Sequence, residues 1–316
     1  MMAKDWNMTA KGFDPRPSNC VSYNNGNYTV TLSLADGTMI RYSKDDKLVP
    51  SFSDSMDIKI TNCCSLNCRY CHEKSTKNGQ HGDILSDSFI DKLHPYIQLA
   101  LGGGNVLEHP DFVPFLKKCK KLKLVPSVTV NQIHFMQQHK FLKQLTDEKL
   151  IYGLGISFHH PDKNFLPMLR SFPNAVIHTI AGVTKEKDYE FLYDKGLKIL
   201  ILGYKKFGRY NEARQITDYR IMVLKELLPY MVKEKWFDSI SFDNLALKQL
   251  DVKNLVPRDK WDMFYMGDEG SSTMYVDMVN REFAANSTSE TRYPLLDNIE
   301  DMLKVIHQEK KGKDID

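Results

Sequence analysis

Between residues 50 and 203 the chain repeats one pattern: a short apolar run, then a stretch with helical periodicity. The apolar runs are residues 57–61, 96–101, 127–130, 152–158, 175–180 and 197–203. Helices are expected at about 87–93, from Asp111 onward, at 137–145, at 164–171 and at 185–193. Apolar strands joined by helical crossovers predict a parallel sheet covered by helices. Six such units are too few to close an eight-stranded barrel. The expected fold is therefore α/β: a curved, partly open, TIM-like (β/α)6 barrel. In barrels of this kind the site lies at the C-terminal ends of the strands.

The flanks read differently. Residues 28–34 alternate, Asp36-Gly37 turns, and residues 38–42 return, which predicts a β-hairpin capping the main domain, with a lid or substrate clamp as the other reading. After residue 210 a long helix is expected from an Asn211 cap to about residue 235, with Ile216, Tyr219, Val223 and Leu227 on one face. Pro229 should kink or end it. A strand at 239–242, a second hairpin at 272–277 and 282–284, and a helix opened by Asp297-Asn298-Ile299-Glu300 follow. This gives an N-terminal β-hairpin extension (1–50), a barrel core (51–210) and an α+β C-terminal extension (211–316).

The net charge of +3 is too small to point to nucleic acid or an anionic membrane, and no apolar run approaches the length of a membrane span. The first residues show no apolar h-region, so no secretion signal is expected. Six cysteines stand at positions 20, 63, 64, 68, 71 and 119, and four of them crowd into one loop. That is no disulfide framework, and a reducing cytoplasm is the expected location.

Directly after the first apolar run comes Cys64-Ser65-Leu66-Asn67-Cys68-Arg69-Tyr70-Cys71, with spacing C-x3-C-x2-C. Three thiolates on one loop can hold three irons of a cubane cluster and leave the fourth without a protein ligand. The competing reading is a structural zinc site completed by His72 or His81, although such sites usually draw their ligands from two separated pairs. Cys63 offers a second, C-x4-C register. Cys119 falls on an apolar helix face and reads as inert core.

With Tyr70 before the last cysteine and Gly102-Gly103-Gly104 ending the second strand, residues 55–210 resemble the radical S-adenosylmethionine (radical SAM) enzymes. The resemblance implies a [4Fe–4S] cluster on Cys64, Cys68 and Cys71, with the fourth iron chelated by the amino and carboxylate groups of SAM. One electron, from a donor such as flavodoxin or ferredoxin, then breaks the sulfur–C5′ bond. The resulting 5′-deoxyadenosyl radical abstracts hydrogen from a substrate.

The glycine run implies a backbone open to the methionine amino group. Where the family usually reads G-G-E-P, this chain has Asn105 and Val106 after its glycines. Asn131, Ser157, Tyr70 and Gly203 match positions that contact the rest of the cofactor. Lys205, Lys206 and Arg209 are candidates for its carboxylate. Histidines 72, 159, 160 and 178, with Glu73, Asp268 and Glu269, are candidates to face the substrate.

For the substrate, a peptide or protein side chain is favoured, because sheet edges can hold an extended chain. A nucleobase or nucleotide comes second. A non-catalytic zinc- or cluster-binding module on a decayed barrel is a third reading, suggested by Asn105 and Val106.

Overall fold

The computed structural model describes residues 19–209 and 214–313; the expected Asn211 cap lies outside the described residues. The chain opens with a three-stranded antiparallel sheet, β1 (Cys20–Asn25), β2 (Tyr28–Ser33) and β3 (Met39–Tyr42). The hairpin is the expected β2–β3 pair. The additional strand, β1, is polar enough to have passed as loop.

Buried Asp54 ties this sheet to the main body. It accepts hydrogen bonds from Arg41 Nε (2.6 Å), the Tyr28 hydroxyl (2.9 Å) and Asn25 Nδ2 (2.5 Å). A buried carboxylate is tolerated only with such partners. The β2–β3 turn seats at the N-terminal ends of the main strands, where Gln98 Nε2 donates to Gly37 O and Asn174 Nδ2 to Ala35 O. It is a plug at the end opposite the cysteines, and so acts as a cap.

The main sheet follows the expected alternation. Its first strands are β4 (Ser55–Thr61), β5 (Gln98–Gly103), β6 (Val125–Asn131), β7 (Gly153–Ser157), β8 (Ala175–Ile180) and β9 (Lys198–Leu202). Between them run α1 (Ser88–Asp91), α2 (Phe112–Lys121), α3 (Gln132–Asp147), α4 (Phe165–Leu169) and α5 (Glu186–Leu192). Helix α3 begins earlier than its periodicity suggests. Asn131 caps it, its first turn buries the polar Gln132 and His134, and Gln138 breaks the helical backbone at φ −123°.

The last third adds α6 (Arg214–Lys233), β10 (Ser239–Phe242), α7 (Asn244–Gln249), α8 (Arg258–Phe264), β11 (Thr273–Asp277), β12 (Glu282–Ala284), β13 (Tyr293–Pro294) and α9 (Ile299–Lys313). These strands extend both edges of the same sheet, in the order β10-β9-β8-β7-β6-β5-β4-β11-β12-β13. Strand β10 pairs parallel with β9, and β11 pairs parallel with β4. The parallel part thus has more than the six expected strands, because β10 adds to β9 at one edge and β11 uses its second edge to reach back to β4 at the other. The hairpin expected at 272–284 is present as β11–β12. The sheet is open, with β10 and β13 at its edges.

Helix α6 runs through Pro229 instead of ending there. The face it buries is Thr217, Leu224, Leu228 and Met231, while Ile216 and Tyr219 are exposed. Its apolar residues lie on several sides, and packing of Leu224, Leu228 and Met231 into the core holds the helix despite the missing N–H. At α9 the cap is Asn298, whose side chain accepts from Asp301 N (3.0 Å); Asp297 instead pairs with Lys92 (2.8 Å).

The strands alternate in burial. Residues such as Ile177, Ile199 and Ile201 pack outward into the helical layer. Ser127, Thr129, Asn131, His178 and Leu200 face a cavity of about 1410 Å³ on the other side. Among the described residues no helix is long and apolar enough to cross a membrane.

Candidate functional site

The cysteine loop leaves the C-terminal end of β4 and forms one wall of the cavity. Cys64, Cys68, Tyr70 and Cys71 all line it. The loop is held to the segment after it by Cys64 N donating to Thr76 O (2.9 Å), and it closes on itself through Cys71 N donating to Cys68 O (3.2 Å). Burial pushes the Cys64 thiol up to about 11, with the neighbouring Cys68 and Cys71 adding to the rise. Burial and Cys71 likewise raise Cys68, against the pull of Arg209. Three half-buried thiols that repel one another's charge are near neighbours, and each must give up its proton to bind metal.

Among the described residues no three His, Cys, Asp or Glu side chains converge as a set for one metal ion. A cubane asks for a wider triangle, since each thiolate takes a different iron. The donor set fits that group in its chemistry, with three thiols on one loop. It also fits in charge, because the Arg209 guanidinium beside the loop keeps Nε and Nη1 buried without a hydrogen-bond partner among the described residues.

Each glycine after β5 has its own reason. A Cβ on Gly104 would stand 2.1 Å from Cys63 O, and one on Gly103 would stand 2.3 Å from Thr61 O. These two let the β5 turn press on the backbone leading into the cysteine loop, and Gly103 does so at φ +108°. Gly102 differs, since a Cβ there meets nothing within 4 Å and faces the cavity.

Asn105 lines the cavity and also serves as a cap. Its side-chain oxygen accepts from Leu107 N (3.2 Å), opening a 3-10 turn over Val106–Glu108. The side chain that reaches the cysteine loop is Glu108, which sequence reasoning passed over. It accepts from Ser65 Oγ (2.7 Å), Ser65 N (3.2 Å) and Asn105 Nδ2 (3.0 Å), and Cys63 Sγ lies 3.5 Å away. Burial opposes its charge, but these donors outweigh it and hold the carboxyl below its usual range. The asparagine three residues before a glutamate is a capping spacing that was available to read.

Asn131 and Ser157 are register partners on β6 and β7, and Ser157 in turn pairs with His178 on β8. All three side chains line the cavity in one row. Asn131 Oδ1 caps α3 while its Nδ2 lies 3.9 Å from Cys68 Sγ. His178 is pushed down to about 4 by burial, and a Cβ on Gly155 would stand 2.4 Å from its ring. Gly203 is the exception. It packs under Leu245, donates to Asp243 Oδ1 (2.8 Å), and does not line the cavity.

Two charged groups lie below the loop. Lys59 on β4 sits between Glu73 (2.9 Å) and Asp277 of β11 (3.0 Å), its register partner. Burial disfavours the Glu73 charge, yet His72 and Lys59 hold the carboxyl down at about 2. Lys205 reaches His72 Nε2 (3.3 Å) and Ser287 Oγ (2.9 Å), and it faces the cavity with Asp57, Asp243 and Glu269. Burial lowers Lys205 and raises Asp57 and Glu269. His159 and His160 border the cavity with their amides fixed by buried Gln132. Asp268 stays in its turn, accepting from the Tyr265 hydroxyl (2.5 Å).

No protein-family model matches this sequence, and no curated protein does. The fold is shared with solved structures of Streptococcus suis SuiB. SuiB bound to S-adenosylmethionine is 11% identical, with 92% of this chain and 87% of that chain covered, at a TM-score of 0.57. SuiB bound to precursor peptide SuiA is 11% identical, with 91% and 87% covered, at a TM-score of 0.58.

Proposed function

We propose that the chain is a radical SAM enzyme acting on a peptide or protein side chain. The carrying observation is that Cys64, Cys68 and Cys71 open, from the end of the first main strand, onto the same cavity as Gly102, Asn131 and Ser157. The fold likeness to a protein seen with S-adenosylmethionine and with a precursor peptide supports both halves of the reading. A cavity of about 1410 Å³ exceeds the 300–1,000 Å³ usual for one small ligand, leaving room for a cofactor and a substrate segment together.

In this reading the open sheet is a partial barrel, residues 51–210 are its catalytic core, and the described residues of the flanking parts 1–50 and 211–316 close its floor and side. The three thiolates hold a [4Fe–4S] cluster. When bound, that cluster and SAM supply a 5′-deoxyadenosyl radical that takes a hydrogen atom from the substrate. The protein's part is placement and exclusion of water. Gly102 leaves open backbone for the methionine end, Asn131 and Ser157 offer polar contacts to the cofactor, and Tyr70 borders it. A cytoplasmic setting keeps the thiols reduced, and flavodoxin or ferredoxin delivers the electron.

The test is anaerobic reconstitution with iron and sulfide, then dithionite and SAM. The expected outcome is 5′-deoxyadenosine formation and loss of the brown colour on replacing Cys64, Cys68 and Cys71 together by Ala. Stoichiometric zinc without visible absorbance, or an intact cluster that leaves SAM uncleaved, would overturn it.

A further inference from the structure

Arg209 follows β9 and packs directly on the cysteine loop. Its backbone N–H donates to Cys71 O (3.1 Å). Gly208 precedes it at φ +92°, where a Cβ would stand 2.5 Å from His72 Cα and 2.6 Å from Cys71 O. No side chain fits there, so the approach of this segment to Cys71 is built into the backbone. The guanidinium spends one nitrogen, Nη2, on Ser75 O. Its Nε and Nη1 are buried and make no hydrogen bond among the described residues, and the Oγ of the same Ser75 is also buried and unpartnered among them. Ser75 lines the cavity and is only 2% exposed.

Leaving a buried donor unsatisfied costs about 1–3 kcal/mol, and more where the group is charged. Three orphaned polar atoms at one corner therefore call for an acceptor. The loop provides one class of acceptor, an anionic sulfur group. The other cations after β9 are placed differently: Lys205 is engaged with His72 and Ser287, and Lys206 is exposed.

Resting on the radical SAM reading of the cysteines, we propose that Arg209, with Ser75, is a tuning residue of the iron–sulfur site. Its guanidinium donates to the sulfur-rich anion on Cys68 and Cys71 and favours the reduced cluster. A cluster on three thiolates gains negative charge when it accepts an electron, and a fixed positive charge and N–H donors at its sulfurs stabilise that form. No proton or further co-reactant is needed for this one-electron step, and dithionite supplies the electron in vitro.

The test is a potentiometric titration of the reconstituted protein without SAM, read by the EPR signal of the reduced cluster. In R209M the ratio of reduced to oxidised cluster at a fixed potential should fall about tenfold, which is ~59 mV for one electron. R209K, which keeps the charge, should stay within about threefold of wild type, and K206M should match wild type. If R209M holds no iron, R209Q against R209K carries the same comparison. A ratio unchanged in R209M or R209Q overturns the inference, as does a change equal to that of K206M or one that appears only with SAM present. A wild-type protein that assembles no cluster overturns instead the reading of the cysteines.

Discussion

Replacing Lys59 with Met should be among the most damaging single changes outside the cysteines. Lys59 is 6% exposed and carries two carboxylates, Glu73 at 2.9 Å and Asp277 at 3.0 Å. Breaking a buried ion pair by deleting one partner costs about 3–5 kcal/mol, because the other charge is left stranded. For a chain of 316 residues the unfolding entropy is roughly 0.7 kcal/mol/K, so the loss corresponds to about 4–8 °C in Tm. The pH dependence has a definite sign. Glu73 has a depressed folded pKa of about 2, so its contribution is present above its ordinary value of 4.5 and is lost as pH falls towards 2. Lys59 is raised above 10.5, so its contribution persists through neutral pH and is lost in strong alkali. The gap between wild type and K59M should therefore be full at pH 7 and narrow as pH falls below 4.5. Calorimetry of the metal-free proteins measures it. The triple variant K59M/E73Q/D277N should recover at least half of the lost Tm. A K59M protein within ~1 °C of wild type at pH 7 would refute the reasoning, since it would mean that β11 does not depend on this tie to β4.

The glycine run separates into two behaviours: G104A should cost about 2 kcal/mol or more by calorimetry, because its Cβ meets Cys63 O at 2.1 Å, whereas G102A should leave stability within ~0.5 kcal/mol and weaken SAM binding measured by equilibrium dialysis. N105A should lower stability by about 1 kcal/mol through loss of the cap on Leu107 N, with a fall in iron retained after reconstitution because Glu108 is no longer held. His178 is held neutral by burial, with its folded pKa near 4; its contribution is present above pH 6.5 and declines as pH falls towards 4, so H178N should flatten the Tm–pH slope in that window.

The strands and the cysteine triplet were legible because their signals are local. Apolar runs such as 199–202 and the spacing of Cys64, Cys68 and Cys71 need no distant partner to be recognised. What escaped depends on pairing across the chain. Lys59 and Asp277 are 218 residues apart, and nothing in either segment names the other. The same holds for β11, which reads as half of a hairpin and uses its free edge to join β4. Helix α6 failed for another reason. It carries apolar residues on several sides, so periodicity offered Ile216 and Tyr219 where packing chose Leu224, Leu228 and Met231. Asn105 was read by its place after the glycines, and what that reading left out is its local bonding to Leu107 and Glu108.

The polar face of the sheet is what makes a site possible at all. A closed hydrophobic interior would fill itself with side chains. Here the inward positions are Asp57, Ala100, Ser127 and Gly153 in one register row, and Asn131, Ser157 and His178 in another. Small residues leave volume, and polar ones keep that volume favourable for a charged ligand. The cost falls on the charges that must be satisfied without water, and the C-terminal third meets it: Asp277 pairs with Lys59, Ser287 bonds Lys205, and Asn286 bonds Glu269 (2.5 Å). Truncating the chain before β11 should therefore do more than remove an edge strand. It would strip partners from Lys59, Lys205 and Glu269 together, and Glu73, just after the cysteine loop, would lose the hydrogen bond that the Tyr275 hydroxyl donates to it (3.4 Å).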